Sequence, residues 1–220
     1  MVDSSKTISI LGSGWLGLPL AEHFVTTGNS VKASTTSESR LSELTSIKLE
    51  PFIIDIARMP SNIQTFLQSN VLIINIPSKN IDGFSNLIKE IDKSEIEKII
   101  FVSSTSVYED INKTISESDG EESELSPLLR IENLFRNSGK IKTTIVRFGG
   151  LIGYSRNPGM FFSKGRPVHN PDSNVNLIHR DDCIGIISQI VEQEVWDEVF
   201  NCVLILIPQK GHSILKRLNP

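Results

Sequence analysis

Residues 8–22, ISILGSGWLGLPLAE, constrain the fold of this chain more than any other stretch. A short apolar strand leads into Gly-x-Gly-x-x-Gly, formed by Gly12, Gly14 and Gly17, and apolar residues at helical spacing follow. In such a loop the first glycine permits a tight turn, the second lets the backbone approach a pyrophosphate, and the third allows close packing of helix on strand. The helix N-terminus would direct its N–H groups toward the phosphates. The stretch predicts a dinucleotide site rather than a bare turn, with contacts from Gly12, Ser13, Gly14, Trp15, Leu16 and Gly17.

The composition limits what this motif can belong to. A length of 220 residues fits a single domain over 1–220 with a substantial core. The net charge of −4, without a basic cluster, argues against nucleic acid as a partner. No apolar run is long enough to cross a bilayer and residues 1–6 are unlike a signal peptide, so we expect no membrane partner and a cytoplasmic location. Cys183 and Cys202 form no metal-ligand pattern, which predicts reduced structural thiols and no metal site.

Strand and helix patterns alternate along the chain after the glycine motif. This alternation predicts an α/β fold with a doubly wound parallel sheet, a Rossmann fold, and ligands at the carboxyl ends of its strands. Ile76 and Pro77 end the strongly apolar fourth strand, and we place them beside the cofactor. An acidic stretch at 117–124 is predicted to be a solvated loop. Further strands are predicted at 30–36, 51–56, 71–77, 98–104 and 143–148.

The end of the second strand bears on the choice of cofactor. NAD-specific sites place an acidic side chain there, about 20 residues past the glycines, but this chain has the polar run that ends at Thr36. Lys32 and Arg40 flank the run, and such charges suit a 2′-phosphate. We therefore predict NADP in preference to NAD, the alternative being that both are ordinary surface charges. Asp55, at the third strand, either accepts a hydrogen bond from the adenine amino group or caps the following turn.

Three later segments match one family of enzymes. They are FVSSTSVY at 101–108, RFGGLIG at 147–153 and NLIHRDDC at 176–183. Together with the glycine loop they resemble the short-chain dehydrogenase/reductase superfamily, in its extended branch of NAD(P)-dependent epimerases and dehydratases of nucleotide sugars. The resemblance implies a nicotinamide cofactor and a small-molecule or nucleotide-linked substrate. We expect the chain to be a monomer or a homodimer.

The resemblance also implies roles for single residues. Ser104 falls where the family keeps a Ser or Thr that binds the substrate oxygen undergoing hydride chemistry, and Thr105 follows it beside the substrate. The family's Tyr-x-x-x-Lys pair is missing, because aligning Glu132 with the acidic residue after the pair places Glu124 and Leu128 at its two positions. Tyr108 is then the candidate for proton transfer, although at this position the family more often uses the side chain to line the pocket.

Two further residues are placed at the substrate. Arg156 resembles a position beside the pocket, where it would pair with a phosphate or a carboxylate or else lie at the surface. His179 has a suitable pKa for proton transfer, but its segment favours a structural hydrogen bond.

Family members usually continue for several tens of residues past the strand near Val199. We expect a reduced substrate lobe built from 151–182 and 203–220, either shortened or altered at its terminus or a compact variant.

Two functions remain open: an NADP-dependent oxidoreductase or epimerase-like enzyme, and a dinucleotide-binding sensor or regulatory module without catalysis.

Overall fold

Seven parallel strands form the central sheet of the computed structural model, which describes residues 5–111, 113–139, 141–158 and 174–204. The strand order is β3-β2-β1-β4-β5-β6-β9, so the chain reverses direction across the sheet between β1 and β4. The strands are β1 (Thr7–Leu11), β2 (Ser30–Thr35), β3 (Glu50–Ile53), β4 (Val71–Ile74), β5 (Lys98–Ser104), β6 (Lys142–Phe148), β7 (Gly150–Ile152), β8 (Leu177–His179) and β9 (Val199–Cys202).

In the described part of the chain, six helices connect and cover these strands. They are α1 (Gly17–Thr26), α2 (Leu41–Ser46), α3 (Ile63–Phe66), α4 (Ile81–Ile91), α5 (Pro127–Arg136) and α6 (Arg180–Glu192), with 3-10 turns at Glu38–Arg40 and Thr105–Val107. The helix starts follow capping chemistry: the Asn80 side chain accepts a hydrogen bond from the Gly83 N–H, and the Ser126 hydroxyl accepts one from the Leu129 N–H. Pro127 occupies the first position of α5, where a missing N–H costs nothing.

The sheet separates two apolar layers. Helices α1 and α6 pack on one face, where Leu20, Phe24 and Ile187 contact inward-facing strand residues such as Ile10. Helices α3, α4 and α5 cover the other face, where the rings of Phe84, Phe101 and Phe135 contact one another. Strands that are buried on both faces have nearly continuous apolar sequences, as all four residues of β4 do.

A small parallel sheet of β7 and β8 stands beside the carboxyl edge of β6. The sequence predicts a substrate region here, without these strands. Close approach of the two segments depends on Gly149, since a Cβ there would lie 2.9 Å from the carbonyl oxygen of Asn176. The Gly150 N–H donates to that same oxygen at 2.7 Å. The pair fixes the start of the region predicted to bind substrate.

The predicted doubly wound sheet is confirmed, and the strand limits differ by at most a few residues from those predicted. The acidic segment at 117–124 differs from the predicted solvated loop. Glu122 is largely buried against Arg147, and the Glu117 carboxylate accepts a hydrogen bond from the Asn201 N–H at 2.6 Å. The segment is thus tied to β6 and β9 by its acidic groups.

The predicted substrate lobe lies only in part within the described residues. Its segments 159–173 and 205–220 fall outside them, so the lobe and the single-domain assignment stay predictions. Among the described residues, no helix has both the length and the apolar character that a membrane crossing requires.

Candidate functional site

The glycine loop between β1 and α1 has one open position and two crowded ones. Gly12 has φ +101°, and a Cβ on it would lie 2.6 Å from the carbonyl oxygen of Asn75. A Cβ on Gly17 would lie 1.9 Å from the Gly12 carbonyl oxygen. Around Gly14, in contrast, there is no atom within 4 Å of a Cβ position among the described residues. Two glycines therefore shape the loop, and the third leaves free space against its backbone.

Hydrogen bonds from β2 hold this loop in place. The Gly12 N–H donates to the Ser34 hydroxyl at 2.9 Å, and the Ser13 N–H donates to the Ser34 carbonyl at 2.8 Å. The Ser13 hydroxyl is buried and has no hydrogen-bond partner among the described residues. Since a buried hydroxyl is costly to leave unpaired, this oxygen fits a ligand group above the loop. The first turn of α1 carries no acidic residue that would repel an anion.

A cleft of about 390 Å³ opens beside the loop at the carboxyl ends of β1, β2 and β4. It lies where the strand order reverses, which is the usual ligand position in this type of sheet. Most residues predicted to bind cofactor line it: Gly12, Ser13, Gly14, Thr36, Arg40, Asp55, Ile76 and Pro77. Of the other three, Leu16 packs into the core, Gly17 packs on Gly12, and Trp15 faces the region after β7.

Arg40 is positioned by two contacts at the rim of this cleft. Its guanidinium donates to the Ser13 carbonyl at 2.8 Å and pairs with Glu43 at 2.8 Å. A cation thus stands at the end of β2, as predicted. Lys32, the other predicted flank, does not: its ammonium donates to the Thr65 carbonyl of α3. Lys32 lies two residues before Ser34 in β2, so it is further from the carboxyl end of the strand, where the cleft opens.

Asp55 has a local role as well as a place in the cleft. Its carboxylate accepts a hydrogen bond from the Ala57 N–H at 2.9 Å and so caps the turn after β3. Of the two alternatives drawn from the sequence, the structure shows the cap. The adenine contact stays a prediction.

The second predicted cluster lies at the end of β5. The Ser104 hydroxyl is half-exposed and accepts a hydrogen bond from the Ser106 N–H at 3.1 Å, starting the 3-10 turn. Thr105 is half-buried, and its carbonyl accepts from the Tyr108 N–H. The Ser104 hydroxyl proton is therefore available to an oxygen placed at this edge.

A buried ionic network lies directly behind Ser104, and sequence analysis missed it. Arg147, on β6, is fully buried and pairs with Glu132 of α5, which is also fully buried, and with Glu122 at 2.7 Å each. Glu132 also accepts a hydrogen bond from the Ser103 hydroxyl. Burial alone would lower the pKa of Arg147, but its hydrogen bonds with Glu132 and Glu122 raise the pKa above its ordinary range. The guanidinium is thus a permanent cation.

Tyr108 joins this network through its hydroxyl group. Arg147 donates to the phenol oxygen at 2.6 Å, and the phenol donates to the Asn201 side chain at 3.0 Å. The guanidinium also lies over the Tyr108 ring, 4.9 Å from its centroid. The sequence signal for this network was Arg147, a charged residue between the apolar residues Val146 and Phe148 of β6. That signal does not identify the partners of Arg147.

The residues at the two positions of the family's missing pair do not replace its tyrosine and lysine. Glu124 is exposed, and Leu128 packs against the core on the α5 side of the sheet. The structure therefore brings Tyr108, and neither of these two, to the network behind Ser104.

The predicted substrate residues Arg156 and His179 meet at the loop after β7. The guanidinium of Arg156 lies over the Trp15 ring, 4.5 Å from its centroid. His179 caps α6, because its Nδ1 accepts from the Asp181 N–H, and its ring packs against Gly153. The structural role favoured for His179 from the sequence is the one observed.

The two cysteines are buried and free. Burial raises the pKa of Cys183 and of Cys202 to about 12, so neither thiol is a ready nucleophile. A larger groove of about 660 Å³ between α6 and β9 contains none of the predicted site residues.

Comparison with known proteins decides the family. A model of the NAD(P)H-binding family matches residues 12–191, which is most of the chain. This chain belongs to the NAD(P)H-binding family. The description of this family agrees with the glycine loop and the cleft of this chain. The cofactor of this chain is therefore a nicotinamide dinucleotide. Among curated relatives, Protein YeeZ of Escherichia coli (strain K12) is 28% identical over 214 residues, covering 89% of this chain and 77% of that protein.

Solved structures of low sequence identity share the fold. The UDP-glucuronic acid 4-epimerase of Bacillus cereus, in complex with UDP-glucuronic acid and NAD, has a TM-score of 0.77 at 18% identity, over 94% of this chain and 80% of that one. Vestitone reductase of alfalfa (Medicago sativa) has a TM-score of 0.75 at 16% identity, over 93% and 78%. At these identities the likeness shows that the chain shares the fold of these two enzymes.

Proposed function

We propose that this protein is an NADP-dependent oxidoreductase of the epimerase/dehydratase type, acting in the cytoplasm on a small-molecule or nucleotide-linked substrate. The observation that carries the proposal is the space at Gly14, beside the unpaired, buried Ser13 hydroxyl and at the mouth of the 390 Å³ cleft. A pyrophosphate at this place would receive loop N–H groups and the positive end of α1.

Arg40 supports the choice of NADP. It is the cation among the residues lining the cleft, at the end of β2 where an NAD site would carry an acidic side chain. Its guanidinium is already oriented by Ser13 and Glu43, so a 2′-phosphate would meet a preorganised donor. NAD has no 2′-phosphate for this donor to bind.

The proposed chemistry uses the edge formed by β5 and the 3-10 turn after it. The nicotinamide supplies hydride transfer when bound. Ser104 holds the substrate oxygen by donating its hydroxyl proton, and Thr105 lines the pocket next to it. Tyr108 exchanges the proton, with Arg147 stabilising the phenolate in place of the family's lysine. To reach substrate, the phenol must release its hydrogen bond to Asn201.

Titration of the full chain with NADP, NADPH, NAD and NADH tests the binding step. We expect micromolar affinity and a preference for the two phosphate-bearing forms. Turnover is then followed by the absorbance of the reduced nicotinamide with a panel of aldehydes, ketones and sugar nucleotides. The variants Ser104→Ala and Tyr108→Phe should lose roughly 100-fold or more in kcat. Ser106→Ala, an exposed serine on the same turn, is the matched control.

A second function is favoured by two observations. The Tyr108 hydroxyl is satisfied by two protein partners, and the family's lysine position holds the core residue Leu128. These facts suit a dinucleotide-binding module that senses or regulates without turnover. Tight NADPH binding with no oxidation by any of the panel, and unchanged binding in Tyr108→Phe, would favour this module over the enzyme.

A further inference from the structure

Two arginines lie against the same indole ring, that of Trp15 in the glycine loop. The guanidinium carbons of Arg156 and Arg180 are 4.5 Å and 5.2 Å from the centroid of Trp15. Arg180 is also 3.8 Å from the centroid of the exposed Tyr154 ring. The two rings therefore orient both cations beside a residue of the glycine loop itself.

Neither cation has a counter-charge among the described residues. Arg156 and Arg180 make no ion pair there, and the Nε of Arg180 is buried without a hydrogen-bond partner. The nearby Asp181 carboxylate is engaged by the Tyr154 hydroxyl at 2.9 Å and lies 3.6 Å from His179 Nδ1. The two guanidinium groups repel each other, and the buried donor is costly to leave unpaired. A bound anion would offset both effects.

The position of this pair separates it from the cofactor cleft. Neither arginine lines the cleft of Ser34 and Arg40. They are held instead by the loop after β7, where the Trp15 Nε1 donates to the Ser155 hydroxyl at 3.3 Å. An anion bound here would contact residues outside the lining of the cofactor cleft. The predicted substrate residues Arg156 and His179 meet at this same loop.

We propose that Arg156 and Arg180, oriented by Trp15 and Tyr154, form a subsite for an oxoanion of the substrate, a phosphate or a carboxylate group. Arginine forks bind both groups through charge-assisted hydrogen bonds, and aromatic faces keep the guanidinium planes oriented. The inference deepens the proposed function: it rests on that function for a substrate that binds beside the cofactor, and it names the chemistry by which the substrate is recognised.

The test measures binding of inorganic pyrophosphate and of malonate by calorimetry, in two forms of the full chain. One is the wild type with NADP in excess, which fills the cofactor site. The other is the Gly14→Val variant without nucleotide, in which the glycine loop is blocked. In both forms pyrophosphate or malonate should bind, and the tighter of the two probes identifies the phosphate or the carboxylate as the preferred group. The second form keeps the test valid if NADP does not bind and the proposed function fails.

Substitutions then locate the bound anion. Arg156→Gln and Arg180→Gln should each weaken binding about tenfold or more, since each removes a charged donor. Arg130→Gln, an exposed arginine on α5, should leave it unchanged. Arg156 is exposed, so its variant is expected to fold even if Arg180→Gln does not. Unchanged affinity of Arg156→Gln for the probe would overturn the proposal. Loss of probe binding when NADP is added to the wild type would also overturn it, because the probe would then occupy the site of the cofactor's diphosphate.

Discussion

Arg147 and Glu132 form an ion pair in which neither side chain has any exposed surface, and their closest nitrogen and oxygen atoms are 2.7 Å apart. The pair joins α5 to β6, and through Tyr108 and Asn201 it reaches β9. A buried pair of this kind is weak support for stability as a whole, because desolvation offsets most of the attraction. Losing one partner is nevertheless costly, since the other charge stays buried.

Glu132→Gln should therefore lower the free energy of unfolding by about 3–5 kcal/mol, measured by urea denaturation. Glu124→Gln, an exposed glutamate just before the same helix, should change it by less than about 0.5 kcal/mol. The double variant Glu132→Leu/Arg147→Met should lose less than the sum of its single changes, because it removes both buried charges. A Glu132→Gln protein as stable as the wild type would show that the pair is not closed in solution.

This network marks the boundary of what the sequence could predict. The glycine loop, its strand and its helix are local patterns, so Gly12, Gly14 and Gly17 could be placed in advance. The pairing of Glu132 with Arg147 joins residues on different elements. Helical spacing puts Glu132 on a face of α5, but only the docked sheet turns that face inward.

The cofactor cleft illustrates the same limit on a smaller scale. Arg40 was predicted at the cofactor because it follows the polar run at the end of β2, and it lines the cleft. Lys32 was wrongly placed beside it, because Lys32 lies two residues before Ser34 in β2 and its ammonium is held by the Thr65 carbonyl, a contact between separate elements that the sequence does not show. The charge of a residue is visible in the sequence, whereas its direction is set by the fold.

The glycine loop gives a matched pair of substitutions. Gly14→Ala meets open space and should leave the unfolding transition unchanged, while its methyl group displaces the pyrophosphate and weakens NADP binding about tenfold or more. Gly17→Ala places a methyl group 1.9 Å from the Gly12 carbonyl oxygen and should lower the stability of the free protein by about 1–3 kcal/mol. Thermal unfolding and NADP titration of both variants check this. Equal loss of stability in the two would contradict the assigned geometry.

Glu194 makes stability depend on acid pH. The pKa of this carboxyl is lowered from 4.5 to about 2. The hydrogen bond from Lys6 has the largest effect, and the hydrogen bond from Lys98 has the next largest. Because the pKa is lower in the folded state, the Glu194 carboxylate stabilises the fold above pH 4.5, and this stabilisation is lost as pH falls from there toward 2. Because Glu194 is substantially exposed, solvent screening keeps the contribution below about 1 kcal/mol.

Unfolding curves of Glu194→Gln and wild type, recorded between pH 2 and pH 7, check this dependence. The variant should be slightly less stable at pH 7, and the two curves should converge as pH approaches 2. Glu198→Gln, an exposed glutamate a few residues further along, is the control and should run parallel to the wild type. A constant difference between Glu194→Gln and wild type at every pH would refute the assigned ion pairs.

Arg40 offers the sharpest test of cofactor preference. Its guanidinium stands at the cleft, so Arg40→Ala should weaken NADP by about tenfold or more and NAD by much less, because only NADP has a 2′-phosphate to lose the charge-assisted hydrogen bonds. Glu43→Gln supplies the opposite change: it removes the carboxylate paired with Arg40, and NADP affinity should rise or stay equal. Calorimetric titration of NAD and NADP into the wild type, Arg40→Ala and Glu43→Gln measures the ratio of the two dissociation constants in each protein. If Arg40→Ala weakens NAD and NADP by the same factor, the arginine supports the loop through Ser13 and does not read the 2′-phosphate.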